Sequence, residues 1–204
     1  MKYLLTILFL ASHFTLFSQW QTIDEVEDEL KSIGPKMSEI ESAKIKFRLR
    51  SRGSAMSASY VWYSVFLKPK NRRYFVNINT DVKGSYHCFQ YNTLTDSSRI
   101  GVLAHELAHI QLFYSLSTAG MLKFIFSQAS ARGIDQNELD TDARVVKNGL
   151  GHFLLSWSAE VRRKYSEQNP NKSHIEDEFN ERYMNPQRIR EEMKKYPSFY
   201  KIIQ

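Results

Sequence analysis

The sequence predicts an α+β fold, with a small antiparallel sheet of three or four strands followed by a mostly helical half that carries a candidate metal site. Two patterns predict it. Between Ala43 and Tyr91 apolar residues recur with period two, as on a strand that buries one face. From Asp96 onward they recur at helical spacing to the end of the chain. The 204 residues, 42 % of them hydrophobic and 13 % aromatic, suffice for one buried core and exclude an intrinsically disordered chain.

The elements follow in order. Met1 and Lys2 precede an apolar run over residues 3–17 and then Ser18, the pattern of an export signal cleaved near Ser18. The run is too short and too mixed for a spanning helix. Residues 19–204 are then read as a single domain with a helical C-terminal region, working in the periplasm or the secreted space. The lone cysteine, Cys88, excludes an intramolecular disulfide and a cysteine zinc ribbon, and reads as a small buried hydrophobe.

Ile23, Val26, Leu30 and Ile33 mark an amphipathic helix over 22–33, with Thr22 and Glu25 as a capping box and Gly34-Pro35 as its stop. Over 43–52, Ile45, Phe47 and Leu49 alternate with Lys44, Lys46, Arg48, Arg50 and Arg52, predicting a strand with one basic face. Further strands are expected at 60–67, 73–80 and 87–91, the first two joined by a hairpin at Lys68–Asn71. Helices are expected over 97–115 with Asp96 as cap, over 118–131, and over 136–148 ended by Gly149-Leu150-Gly151. Another follows near 153–166, then a break at Asn169-Pro170-Asn171 and charged helix to about 195. Residues 110–128 are apolar but carry Gln111, Lys123 and several Ser and Thr, so they read as buried helix rather than a membrane span.

The chemistry lies in His105-Glu106-Leu107-Ala108-His109, an HExxH pattern within the helix over 97–115. Two histidines at i and i+4 lie about 40° apart around a helix and can share one metal ion. Glu106, rotated by about 100°, can face a metal-bound water without displacing it, as a general base must. A third ligand is sought in Glu138-Leu139-Asp140-Thr141-Asp142. Glu138 on a packed helix would complete a His-His-Glu set, and Asp142, four residues on, would accept the proton of a ligand histidine's free nitrogen. Asp140 and Asp142 stay open as alternative ligands. His152, His174, Tyr183, Arg144 and Tyr91 are chemically able to stabilise an oxyanion, and spacing does not choose among them.

HExxH followed by ExxxD resembles the gluzincin metallopeptidases, in particular the CAAX-prenyl-protease and HtpX-like group. The resemblance covers residues 97–151 and implies a zincin-like fold, one Zn2+ per chain, Glu138 as third ligand and Asp142 as support for a histidine. The implied activity is endopeptidase action on a peptide or unfolded protein. It also implies an edge strand beside the metal helix that holds substrate backbone, a role suited to Phe75-Val76-Asn77-Ile78-Asn79, whose alternation equally suits an ordinary sheet strand. The alternative is an exported binding or chaperone-like module whose metal is structural.

The chain carries a formal charge of +6. The basic face of 43–52 is a candidate peripheral contact with an anionic envelope surface, or else a solvated strand face. Nucleic acid is not an expected partner, since the export pattern is joined by no aromatic-basic binding signature.

Overall fold

In the computed structural model the described residues are 19–168, 170 and 182–200, the side chains of Ser85 and Cys88 excepted. The export pattern, His174 and the Cys88 side chain therefore lie outside the described residues. A four-stranded sheet comes first and a helical half follows.

The strands are β1 (Trp20–Gln21), β2 (Lys44–Arg50), β3 (Met56–Tyr60) and β4 (Arg73–Asn79). Their order is β1-β2-β4-β3, with β1 and β4 parallel to β2 and only β3 antiparallel to β4. The sheet is thus mixed, not antiparallel as expected. The two strands with strong apolar alternation pair at the centre, in a register that sets Ile45 beside Tyr74 and Phe47 beside Val76. All four side chains are buried. The weakly apolar Met-Ser-Ala-Ser-Tyr strand is left at the edge.

Residues 62–66, expected as strand, form a 3-10 turn. Their apolar residues do not alternate, and the Ser64 hydroxyl donates to the Val61 carbonyl, which favours a turn over a ladder. The expected strand at 87–91 likewise gives way to 3-10 turns. Consequently Lys68–Asn71 is one segment of a longer link from β3 to β4 rather than a tight hairpin.

The helices are α1 (Glu27–Ile33), α2 (Asp96–Ser115), α3 (Thr118–Ser127), α4 (Ala131–Lys147), α5 (Gly151–Gln168) and α6 (Pro186–Met193). Helix α1 begins later than its periodicity suggests, after a 3-10 turn over 24–26. Thr22 forms no capping box and instead donates to Glu27 at 3.4 Å. Helix α4 ends as the sequence implies. Gly149 adopts φ +78°, the Gly149 N–H reaches the Val146 carbonyl, and the Leu150 N–H reaches that of Val145.

Helix α2 is the spine. Leu103, Ala104, Leu107, Ala108 and Ile110 are fully buried between the sheet and α5. Such burial on all sides marks a central helix rather than an amphipathic surface one. Gly101 lets α5 approach, since a Cβ there would lie 2.3 Å from the Phe153 carbonyl oxygen. Both ends of α2 are held by charge. At its start the Glu160 carboxylate accepts from the Thr95 N–H and hydroxyl, so Thr95, not Asp96, is the cap residue. At its end the buried Arg72 guanidinium donates to the carbonyls of Phe113 (2.9 Å) and Leu116 (2.7 Å). Each charge opposes the helix dipole at its own terminus.

Helix α3 departs from the buried helix expected there. Only Met121 is fully covered, while Leu122, Ile125 and Phe126 are exposed. Among the described residues no helix is long and apolar enough to cross a membrane.

Candidate metal centre

Helix α2 places His105 and His109 one turn apart, and α4 lies against it with Glu138, Thr141 and Asp142 on one face. The three ligand-type atoms converge. His105 Nε2 is 3.1 Å from His109 Nε2 and 3.0 Å from Glu138 Oε2, and His109 Nε2 is 3.3 Å from the same oxygen. A tetrahedron with Zn–N bonds of 2.0–2.1 Å has edges of about 3.3 Å, so these separations fit one small cation bound by all three.

The outer nitrogens fix the tautomers. His105 Nδ1 lies 2.8 Å from Asp142 Oδ1, and His109 Nδ1 lies 3.1 Å from the Thr141 hydroxyl. That hydroxyl spends its own proton on the Asn137 carbonyl at 2.7 Å, so toward His109 it can only accept. Asp142 is anchored in turn by the Met184 N–H, which donates to Oδ2 at 2.8 Å. With both Nδ1–H groups engaged outward, two imidazole lone pairs and a carboxylate oxygen face one another. Only a positive charge reconciles them.

The electrostatics agree. Burial by itself would lower the affinity of His105 for a proton, yet its bonds to Asp142 and Glu138 outweigh burial and raise its pKa well above the ordinary value. Glu138 is shifted the other way. Burial opposes ionisation, but the adjoining His105 and His109 imidazoles hold its carboxyl far below the usual range. Among the described residues, His105, His109 and Glu138 form a group able to hold a metal ion.

Glu106 stands beside this group and its Oε2 accepts from the Ala58 N–H of edge strand β3 at 2.5 Å. Burial raises its pKa, against the pull of the two imidazoles. His105 and Glu106 open onto a cleft of about 900 Å³ walled by the 51–56 segment, Val82, Trp157, Arg182 and Tyr183. The Tyr183 ring packs 5.8 Å from His105, and burial together with the nearby Glu138 and Glu106 carboxylates pushes its phenol well above the usual range.

Comparison with family models, with curated proteins and with solved structures gives no match to this chain.

Every sequence-derived member of the metal group is therefore present at one point. Asp140 is not: it is exposed and accepts from Gln136 at 2.7 Å. Asp142 meets a histidine on the side away from the convergence point. Of the oxyanion candidates that are described, Tyr183 alone lines the cleft. His152 packs on Tyr200, Tyr91 lies under Arg99, and Arg144 takes no part in the cleft wall. The expected substrate strand 75–79 is also displaced, because β4 is central and β3 is the edge beside Glu106. Sequence reasoning passed over Thr141 and Ala58. Thr141 was legible in principle, three residues after Glu138 and next to Asp142, as part of the same helical face. Ala58 acts through its backbone and leaves no side-chain signal.

Proposed function

We propose that this chain is a zinc-dependent peptidase of the gluzincin type, exported and acting on peptide or unfolded protein. The observation that carries this reading is the convergence of His105 Nε2, His109 Nε2 and Glu138 Oε2, with both Nδ1 atoms already engaged and Glu106 alongside at an open cleft. The expectation of export rests on residues 1–18 alone.

A divalent ion held by His105, His109 and Glu138 would polarise the scissile carbonyl and acidify a water in the cleft. The residues of the chain do the rest. Glu106, its proton affinity raised by burial, takes the proton of the attacking water and passes it to the departing amine. Asp142 and Thr141 keep both imidazoles in the tautomer that leaves Nε2 free. Tyr183, neutral at working pH, is the donor best placed to meet oxyanion charge. Strand β3 has no strand on its outer side among the described residues, which suits an extended peptide added there as a further strand that would take over the Ala58 N–H from Glu106.

The test compares three proteins. Wild type should carry about one zinc per chain and cleave an unfolded protein, as a single catalytic site requires. Glu106→Gln should keep the metal and lose cleavage, whereas His105→Ala should lose both. Undiminished turnover by Glu106→Gln ends the assignment. Stoichiometric zinc without any cleavage by wild type would instead leave a binding module with a structural metal.

A further inference from the structure

The exposed aromatics are not scattered. Trp62 (75 % exposed), Tyr63, Phe66 (63 %) and Leu67 belong to the 3-10 turn after β3 and the residue that closes it, and Leu122, Ile125 and Phe126 (77 %) to α3. The two segments touch. The Thr118 hydroxyl donates to the Val65 carbonyl at 3.3 Å, and Thr118, Leu122 and Ile125 fall on one i, i+4, i+7 ridge of α3. That ridge therefore continues the apolar surface of the turn. Both segments rest on one aromatic cluster, in which Tyr60 packs edge-on against Phe113 at 5.1 Å and Phe113 against Phe124 at 5.3 Å.

Charge within the segments that form this patch has one sign. No Asp or Glu occurs between Glu41 and Asp81, nor between Glu106 and Asp135, and these two stretches supply the whole patch. Lys68, Lys70 and Lys123 are exposed within the same segments. Trp, Tyr and Phe beside lysines, with no acid in the same segments to repel phosphate, is the composition of a protein surface that lies in a headgroup layer. By contrast, a partner protein's apolar face would call for no such exclusion of acids.

We propose that the chain docks on an anionic bilayer surface through Trp62, Tyr63, Phe66, Leu122, Ile125 and Phe126, with Lys68, Lys70 and Lys123 against the lipid headgroups. The inference stands independently of the peptidase reading. The patch is separate from the basic strand β2, where Lys44, Lys46 and Arg50 are exposed and Arg48 is committed to Asn77 at 2.6 Å and lies 3.7 Å over the Phe75 ring. Exposed aromatics and lysines coincide at the turn and α3 instead.

The test uses the full chain with phosphatidylcholine vesicles, with and without phosphatidylglycerol. Residues 3–17 are themselves apolar, so every variant keeps them and the readout is local. Trp62 should shift its emission to the blue and be quenched by bromine-labelled acyl chains on the anionic vesicles. Trp62→Phe, which leaves Trp20 and Trp157 in place, should abolish that signal. Phe66→Ser with Phe126→Ser should raise the anionic-lipid concentration needed for the Trp62 shift by roughly tenfold or more. Replacing Lys68, Lys70 and Lys123 by Gln should weaken binding about fivefold per lysine on anionic vesicles only, and raised salt should do the same. Because all these side chains are exposed, circular dichroism and melting should be unchanged. Trp62 equally accessible to acrylamide with and without vesicles would overturn the proposal. So would patch variants that merely convert a dimer to a monomer, which would make the occupant a second copy of the chain.

Discussion

At the scale of single residues, the metal group is an arrangement of proton donors and acceptors before it is anything else. Two histidines could each place a proton on either ring nitrogen, and the choice decides whether a cation can be held. Asp142 makes that choice for His105, and Thr141 makes it for His109 with a hydroxyl whose own proton is spent on Asn137. Thr141→Val keeps the shape and removes the acceptor. Zinc affinity in competition with a chelator should fall about 10- to 100-fold, the usual cost of losing a partner behind a ligand histidine. An unchanged affinity would mean that Thr141 does not orient the ring. The HExxH pair, Glu138 and Asp142 were all legible as residue types at helical spacing. Thr141 was legible only as a position on the same helical face and not in its role, because a threonine becomes an acceptor only once its own proton is committed elsewhere.

At the scale of elements, the site depends on α2 being held at both ends, by Glu160 near its start and Arg72 near its end. Burial alone would raise the pKa of Glu160, but hydrogen bonds from Lys164, Ser98 and Thr95 outweigh it and bring the carboxyl from 4.5 down to about 2. A carboxyl depressed by folding stabilises the fold above its unfolded pKa and loses that contribution as pH falls through its folded value. Wild-type stability should therefore decline between about pH 4.5 and pH 2, as protons bind Glu160 more readily in the unfolded chain. Glu160→Gln should be less stable at neutral pH by about 1 kcal/mol, the typical loss on weakening a helix cap. Its gap from wild type should close toward pH 2, as urea titrations of metal-free protein would show. A gap that stays constant with pH would assign the effect to packing. The helices themselves were readable from periodicity and from stops such as Gly149. The edge position of β3 was not, because strand order depends on which partners bury the most apolar surface, not on any one strand's pattern.

At the scale of the whole molecule, the metal would clamp α2 to α4 within the helical half, and α2 in turn packs on the sheet. A ligand that binds only the folded state stabilises it by about 2.7 kcal/mol at a hundred times its dissociation constant. Chelation should accordingly lower the melting temperature of wild type, and zinc should restore it. His105→Ala should melt at one temperature under both conditions. Identical melting of stripped and reloaded wild type would show that no ion couples to folding. The same scale explains the exposed ridge of α3. Its apolar residues looked like core because sequence reports hydrophobicity, and whether another element arrives to cover a helix is decided only by the packing of the whole chain.

By itself the sequence determined the α+β division, the helix that carries HExxH and the residues able to hold an ion, because these follow from local periodicity and from chemistry fixed by residue type. Tertiary structure alone decided that the sheet is mixed, that β3 and not β4 borders Glu106, that Asp142 stands behind a histidine while Glu138 meets both, and that α3 turns its aromatics outward. These are relations between segments distant along the chain. They are set by competition for buried surface and hydrogen-bond partners, and no single segment encodes the outcome of that competition.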